Sequence, residues 1–215
     1  MSIKGIDEET VRERQSRVTL SGGKWEEYVR LFLNEKLKDT DIEVIVGKYE
    51  DPIKRRSQML WKMLSLPLKN STTKESIWGD LDLVAIKNDL PVTVISCKTS
   101  LHGRFTETLF WSLLYRMLTR IKIVLATCDA GSGKLIELKS EWGTPENPNA
   151  NRLLAESYLD GVYAENVPEF CKLSNPTVLG GIVRPLVELP LDIKRWSEEI
   201  SKFIIVKGSR LGNFI

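Results

Sequence analysis

Two apolar runs of strand length, separated by one short polar turn, constrain this chain more than any other feature. Residues 81–86 (LDLVAI) and 92–97 (VTVISC) carry the β-branched and apolar residues of strands, and Lys87-Asn88-Asp89-Leu90 between them has turn chemistry. The span Gly79–Ser100 therefore reads as an antiparallel hairpin. A long apolar stretch follows, Phe105–Leu118, which reads as a buried helix, and then Ile121–Ala126, a third strand. Strand, strand, helix, strand in that order predicts an α/β fold with a mixed sheet flanked by helices.

The flanking segments fit that frame. Trp25, Tyr28, Val29, Phe32 and Leu33 recur at helical spacing. They give residues 1–40 a helical N-terminal character, with a charged helix or arm over 6–17 that Ser21-Gly22-Gly23 breaks. Asp41–Val46 (DIEVIV) alternates like a strand, and 53–70 mixes basic, aromatic and Met residues as far as Pro67. Downstream, 143–151 reads as loop, 151–158 as a short helix, and Tyr163, Phe170 and 178–187 as short strand candidates. Residues 191–200 read as helix and 203–206 as a last strand. No repeat or clean boundary divides the chain, so 1–215 is expected to be one domain. Within it, 79–128 holds hairpin, helix and third strand, and 130–215 is an added region.

Several chemistries are excluded early. The single histidine, His102, cannot build a zinc site of several His, and no G-x-S-x-G elbow accompanies it. Gly131-Ser132-Gly133-Lys134 resembles a phosphate loop only in part. Cys128 stands where the earlier glycine belongs and Leu135 replaces the Ser or Thr, so the tetrapeptide reads as a turn. Three scattered cysteines, Cys97, Cys128 and Cys171, form no C-x-x-C pair and suggest free thiols in the reducing cytoplasm. No apolar window is long enough for a membrane span. A net charge of +2 neither demands nor forbids a nucleic-acid partner, since a local basic patch suffices.

The chemistry sits in GDLDLVAIKNDLPVTVISCKTS. Strand residues two apart share a face, so Asp80 and Asp82 point one way, as do Ser96 and Lys98. A hairpin can bring those faces together, placing carboxylates beside an ammonium at one end of a sheet. Carboxylates hold Mg²⁺, a hard cation that prefers oxygen. The metal polarises a phosphate and activates water, while a lysine stabilises developing charge. Phosphodiester hydrolysis needs these parts.

The stretch GDLDLVAI…VISCKTSLHGR resembles the PD-(D/E)XK nuclease superfamily, and within it the type II restriction endonucleases, over roughly residues 22–128. The resemblance implies a restriction-endonuclease-like mixed central sheet flanked by helices. It also implies Mg²⁺ as cofactor, double-stranded DNA as partner, and a homodimer acting on a short palindrome. Asp82 and Lys98 take the catalytic positions. Leu81 replaces a proline before Asp82. Ser96 stands where the superfamily has Asp or Glu two residues before the lysine, so one metal ligand must come from elsewhere. Glu26, in the first long helix (GGKWEEYV), matches a glutamate that many members place there; its neighbour Glu27 points to solvent. Glu107, in the helix after Lys98, matches an acid that other members use when Ser precedes x-K. Glu50 is a third candidate. The expected metal ligands are Asp82, Glu26 and Glu107.

For DNA contact the candidates are Lys54, Arg55, Arg56, Met59 and Lys62, with His102 and Arg104 after the second strand. Basic residues there can neutralise phosphates. A charge run is also the ordinary solvated face of a helix, and Met59, Trp61 and Met63 have a spacing more usual for core. Residues 130–215 are the expected recognition and dimer region. Two further readings stay open: a structure-selective nuclease such as a junction resolvase, and a DNA-binding protein of this fold that has lost catalysis at Ser96.

Overall fold

The structure, a computed structural model, describes residues 22–68, 72–73, 75–99, 101, 105–128, 142–143, 147–165 and 182–200, and the helical backbone of 201–211. The charged segment 6–17, the turn at 131–134 and Phe170 lie outside these residues, as do His102 and Arg104.

A six-stranded mixed sheet organises the chain. Its strands are β1 (Ile42–Val46), β4 (Leu83–Lys87), β5 (Leu90–Lys98), β6 (Lys122–Thr127), β7 (Gly161–Ala164) and β8 (Val183–Pro185), in the spatial order β1-β4-β5-β6-β7-β8. Strand β4 runs antiparallel to both its neighbours, β1 and β5, and β5 to β8 run parallel. Two helices cross between the parallel strands, α4 (Phe105–Leu118) between β5 and β6 and α5 (Ala150–Tyr158) between β6 and β7. Between β1 and β4 lie α2 (Glu50–Arg56), α3 (Gln58–Leu64) and a small ribbon of β2 (Ser65–Pro67) and β3 (Ser76–Trp78). No helix among the described residues is long and apolar enough to cross a membrane.

Both sheet faces are covered, which is why β5 is buried along nearly its whole length. One face carries α1 (Gly22–Leu37) and α6 (Leu189–Leu211). Trp25, Val29, Leu33 and Leu37 recur every fourth residue in α1 and pack with Val44, Leu83, Ile95, Cys97, Val124, Ile193 and Trp196. The opposite face carries α2 to α5, where Leu60, Leu64, Phe105, Leu109, Tyr115 and Ala155 meet Val84, Val94, Ile123 and Val162.

The expected hairpin is present. Asn88 and Asp89 form its two-residue turn, both left-handed at φ 51° and 58°, the geometry that matches strand twist. Pairing runs Leu83↔Ile95 to Ala85↔Thr93, then resumes at Ile86↔Pro91, so Val92 is bulged. The bulge lies beside Pro91, which has no N–H for the ladder. It also sets the side-chain alternation of all that follows in β5, because a one-residue slip would exchange its faces.

Three expectations need correction. Residues 203–206 are not a strand but belong to α6, which starts at Leu189 and continues unbroken to Leu211; the helix overrides the β preference of its Ile-Ile-Val run. Helix α4 is not buried all round, since Phe110 is 55% and Met117 77% exposed. Met59 is 51% exposed rather than core, because α2 and α3 are separate short helices that bury only Ile53, Leu60 and Leu64.

Candidate active site

The site is built where β4 begins and β5 ends. Asp82 lies in the bend just before Leu83, one step beyond the last β4–β5 pair and opposite Ser96. Two contacts fasten this bend. Gly47, just past β1, donates its N–H to the Asp82 carbonyl at 3.0 Å. Its Cα lies so close that a Cβ would stand 2.8 Å from Leu81 Cβ and 2.9 Å from the Leu81 carbonyl oxygen. A glycine is required there by close backbone approach.

The Asp82 side chain folds back over the end of β5. Its Oδ2 accepts the Cys97 backbone N–H at 2.7 Å, the Lys98 ammonium at 3.1 Å and, more weakly, the Ser96 hydroxyl at 3.4 Å. All three bonds fall on one oxygen, which leaves Oδ1 outside them. The Asp82 and Lys98 side chains are each only 8% exposed. A buried ion pair holds only where further hydrogen bonds satisfy it, and the Cys97 amide supplies one. Asp80 stands 3.9 Å from Lys98 on the more open side. Burial pushes its carboxyl above the ordinary aspartate range, the charge of Asp82 adds to this, and Lys98 opposes it. One ammonium is thus shared by two carboxylates that repel each other.

Ser96 is not idle: its Oγ lies 3.0 Å from Thr108 Oγ1, a buried hydroxyl pair that ties β5 to α4. Cys97 faces the other side, into the α1 core. Burial and the nearby carboxylates push its thiol well up. Of the expected acids, Glu26 turns inward from α1, with a side chain 12% exposed that pairs with Lys48 at 2.9 Å. Glu27 turns outward to Arg30 at 2.7 Å. Glu107 is exposed in the first turn of α4, near enough for its charge to raise the Asp80 carboxyl. Glu50 accepts the Trp61 indole N–H at 2.8 Å. Among the described residues no three acids, His or Cys converge closely enough to cage a metal ion.

A profile of the BsaWI restriction endonuclease type 2 family matches residues 52–176, more than half of the chain. The chain belongs to that family. Asp80, Asp82, Ser96, Lys98 and Glu107 lie within the matched span, while Glu26 and Lys48 lie before it. The chain is also similar to a crystal structure of a pre-specific restriction endonuclease BsaWI–DNA complex. The identity is 15% and the TM-score 0.48, over 93% of this chain and 68% of that one. No curated protein matches it.

The described basic candidates lie on α2 and α3. Arg56 is held by Glu43 at 2.8 Å and Asp89 at 3.1 Å, at the turn end of the hairpin, away from Asp82. Lys54 lies over the Trp61 ring at 4.5 Å, and Arg55, Met59 and Lys62 are exposed on α2 and α3. Sequence reasoning ranked Asp82 above Asp80, which the structure places 3.9 Å from Lys98, and it did not single out Lys48, which the structure places 2.9 Å from Glu26. Nothing in VGKYE singles out that lysine until β1 is known to pair antiparallel with β4, which brings the end of β1 beside Asp82.

Proposed function

We propose that this chain is a Mg²⁺-dependent endonuclease that hydrolyses both strands of DNA at a specific sequence and acts as a homodimer. The observation that carries the reading is the Lys98 ammonium shared by Asp82 and Asp80 at the sheet edge, in a chain of a restriction endonuclease family. The spacing of Asp82 and Lys98 supports a PD-(D/E)XK assignment.

The donor set suits a hard cation. Mg²⁺ keeps several waters and takes one or two carboxylates with the substrate's phosphate oxygens, so Asp82 and Asp80 are a sufficient protein contribution. The repulsion that helps raise Asp80 is what a cation between them relieves. When bound, the ion would polarise the phosphate and favour ionisation of water. Lys98 then neutralises the negative charge building on the non-bridging phosphate oxygens and orients the attacking water. The water oxygen bonds to phosphorus, the bond from phosphorus to the leaving sugar oxygen breaks, and solvent protons balance the products. Glu107, exposed in the first turn of α4, adds its negative charge to the surroundings of Asp80.

Support for a two-fold dimer comes from the outward side of α4. Phe110, Leu113 and Met117 are exposed there, with Glu107 in the first turn and Arg116 in the last. Two such helices packed antiparallel bring the same exposed apolar strip of each copy together, the self-complementarity of an isologous contact. Within residues 130–215, β7, β8, α5 and α6 belong to the central fold.

Incubation with plasmid DNA tests the reading. Discrete fragments with Mg²⁺, no cutting in EDTA, and binding without turnover in Ca²⁺ are expected. Cutting confined to branched junctions would replace it with the resolvase reading, and retardation without cutting in any divalent ion with the inactive DNA-binding one.

A further inference from the structure

We infer that Lys48 is a second phosphate-binding cation of this site, and that Glu26 is its positioning residue rather than a metal ligand. The inference rests on the nuclease reading above.

The backbone fixes where Lys48 starts. Its neighbour Gly47 is held from both sides, donating to the Asp82 carbonyl at 3.0 Å and accepting the Trp78 indole N–H at 3.0 Å. The clearance to Leu81 leaves no room for a Cβ. Lys48 therefore leaves the sheet one residue from a backbone bonded to Asp82. Glu26 then fixes where its side chain goes. That carboxylate is 12% exposed and meets the ammonium at 2.9 Å, whereas the Lys48 side chain is 43% exposed. The pair is anchored inside and presented outside. Exposed ion pairs contribute little because both partners are free to wander; here the acid is enclosed, so the lysine is held in place. The Glu26 hydrogen bond first, and the charges of Glu26 and Asp82 after it, keep the ammonium above its ordinary range.

Charge decides what such a cation does. Asp80, Asp82 and Glu26 make this edge anionic, and a phosphodiester must approach it. Lys98 is 8% exposed and already lies between carboxylates. Lys48 is an exposed cation fastened beside Asp82, and it can meet a phosphate oxygen before the chemistry begins. Phosphate contacts of this kind fix register and supply affinity without sequence information. A Glu26 drawn off to a metal would release the ammonium it now holds.

The test uses the full chain and a labelled mixed-sequence DNA duplex in EDTA, with affinity followed against NaCl concentration. Lys48→Gln should weaken binding severalfold and reduce the salt slope by about one, while Lys48→Arg keeps both. In plasmid cleavage, Glu26→Gln should leave the half-saturating Mg²⁺ concentration unchanged. The Glu26→Gln, Lys48→Gln double variant should cut no more slowly than Lys48→Gln alone, because both substitutions remove one function. Thermal melts establish that each variant is folded. An unchanged salt slope in Lys48→Gln overturns the role given to Lys48. A tenfold higher Mg²⁺ requirement in Glu26→Gln overturns the role given to Glu26. Should the parent cut no DNA at all, the nuclease reading fails, and the EDTA binding arm still judges Lys48.

Discussion

Replacing Asp82 by Asn removes one charge and leaves the shape of the bend before β4 unchanged. The amide oxygen can still accept the Cys97 N–H, but Lys98, 8% exposed, is left with only Asp80 at 3.9 Å. Breaking a buried ion pair costs about 3–5 kcal/mol. Partial takeover by Asp80 puts Asp82→Asn at the low end, about 3 kcal/mol. In a chain of this size each kcal/mol lowers Tm by about 2–4 °C, so a fall of about 6–12 °C is expected. That is within the roughly 5–15 kcal/mol by which domains are stable, and the variant stays folded. The effect on chemistry is larger, because the substitution removes both an oxygen donor charge and the holder of Lys98. Loss of a single charge-stabilising group costs about 10²–10³ in rate, and two linked losses put the expected fall at the top of that range or beyond. The assay is single-turnover plasmid cleavage in Mg²⁺, with a thermal melt and duplex retardation in Ca²⁺ on the same preparation. Asp82→Asn that melts lower, binds DNA and still cuts within tenfold of the parent would refute the assignment.

Other outcomes follow from the same geometry. Lys98→Arg should be as inactive as Lys98→Ala, because the pocket between Asp80 and Asp82 fits a compact ammonium and a planar guanidinium does not substitute for it; full cleavage by the arginine variant would show that charge alone suffices. Gly47→Ala should lose about 1–3 kcal/mol in urea unfolding, since the new Cβ meets Leu81 at 2.8 Å, and parent-like stability would show that the bend can yield. Cys97 should resist alkylation in the native protein just below the ordinary thiol value of 9.0, as only the thiolate reacts. Unfolding returns the thiol to that value, so the folded state is favoured below it and loses stability as pH rises past it. Rapid native labelling of the Cys97 peptide, read by mass spectrometry, would count against the burial.

Local pattern carried the hairpin, because its turn and its two strand faces are set by neighbouring residues. It also placed α1, since Trp25, Val29 and Leu33 repeat at the helical period on one side only. The extent of α6 was not legible. Ile-Ile-Val has strand preference in isolation, and only the helix already running from Leu189 carries it the other way. The site divides along the same line. Asp82 and Lys98 come from adjacent strands of one hairpin, so their spacing announces them. Lys48 comes from a strand end 34 residues before Asp82 in the chain, and its place depends on the β1–β4 pairing. Glu26 was correctly separated from Glu27 by helix phase, yet phase could not reveal that a lysine would be waiting for it.

Ser96 remains the departure that most needs a physical account. Its hydroxyl lies between Asp82 Oδ2 at 3.4 Å and Thr108 Oγ1 at 3.0 Å, both buried. An acid at this position would face the Asp82 carboxylate directly. Two unit charges about 4 Å apart at an effective dielectric of about 20 repel by roughly 4 kcal/mol. Lys98 already serves Asp82 and Asp80 and can offset only part of that. Ser96→Asp should therefore melt well below the parent in EDTA, by up to about 8–16 °C at about 2–4 °C per kcal/mol. Divalent cation reverses the sign of the problem: with three carboxylates at one edge, binding of Mg²⁺ to the folded state alone raises stability. The variant should recover most of its lost Tm as Mg²⁺ is added, and recover far more than the parent gains. The readout is a melting temperature, so it does not depend on whether the variant cuts DNA. If Ser96→Asp melts equally low with and without Mg²⁺, no cation enters between these side chains, and Asp80 and Asp82 are not its ligands.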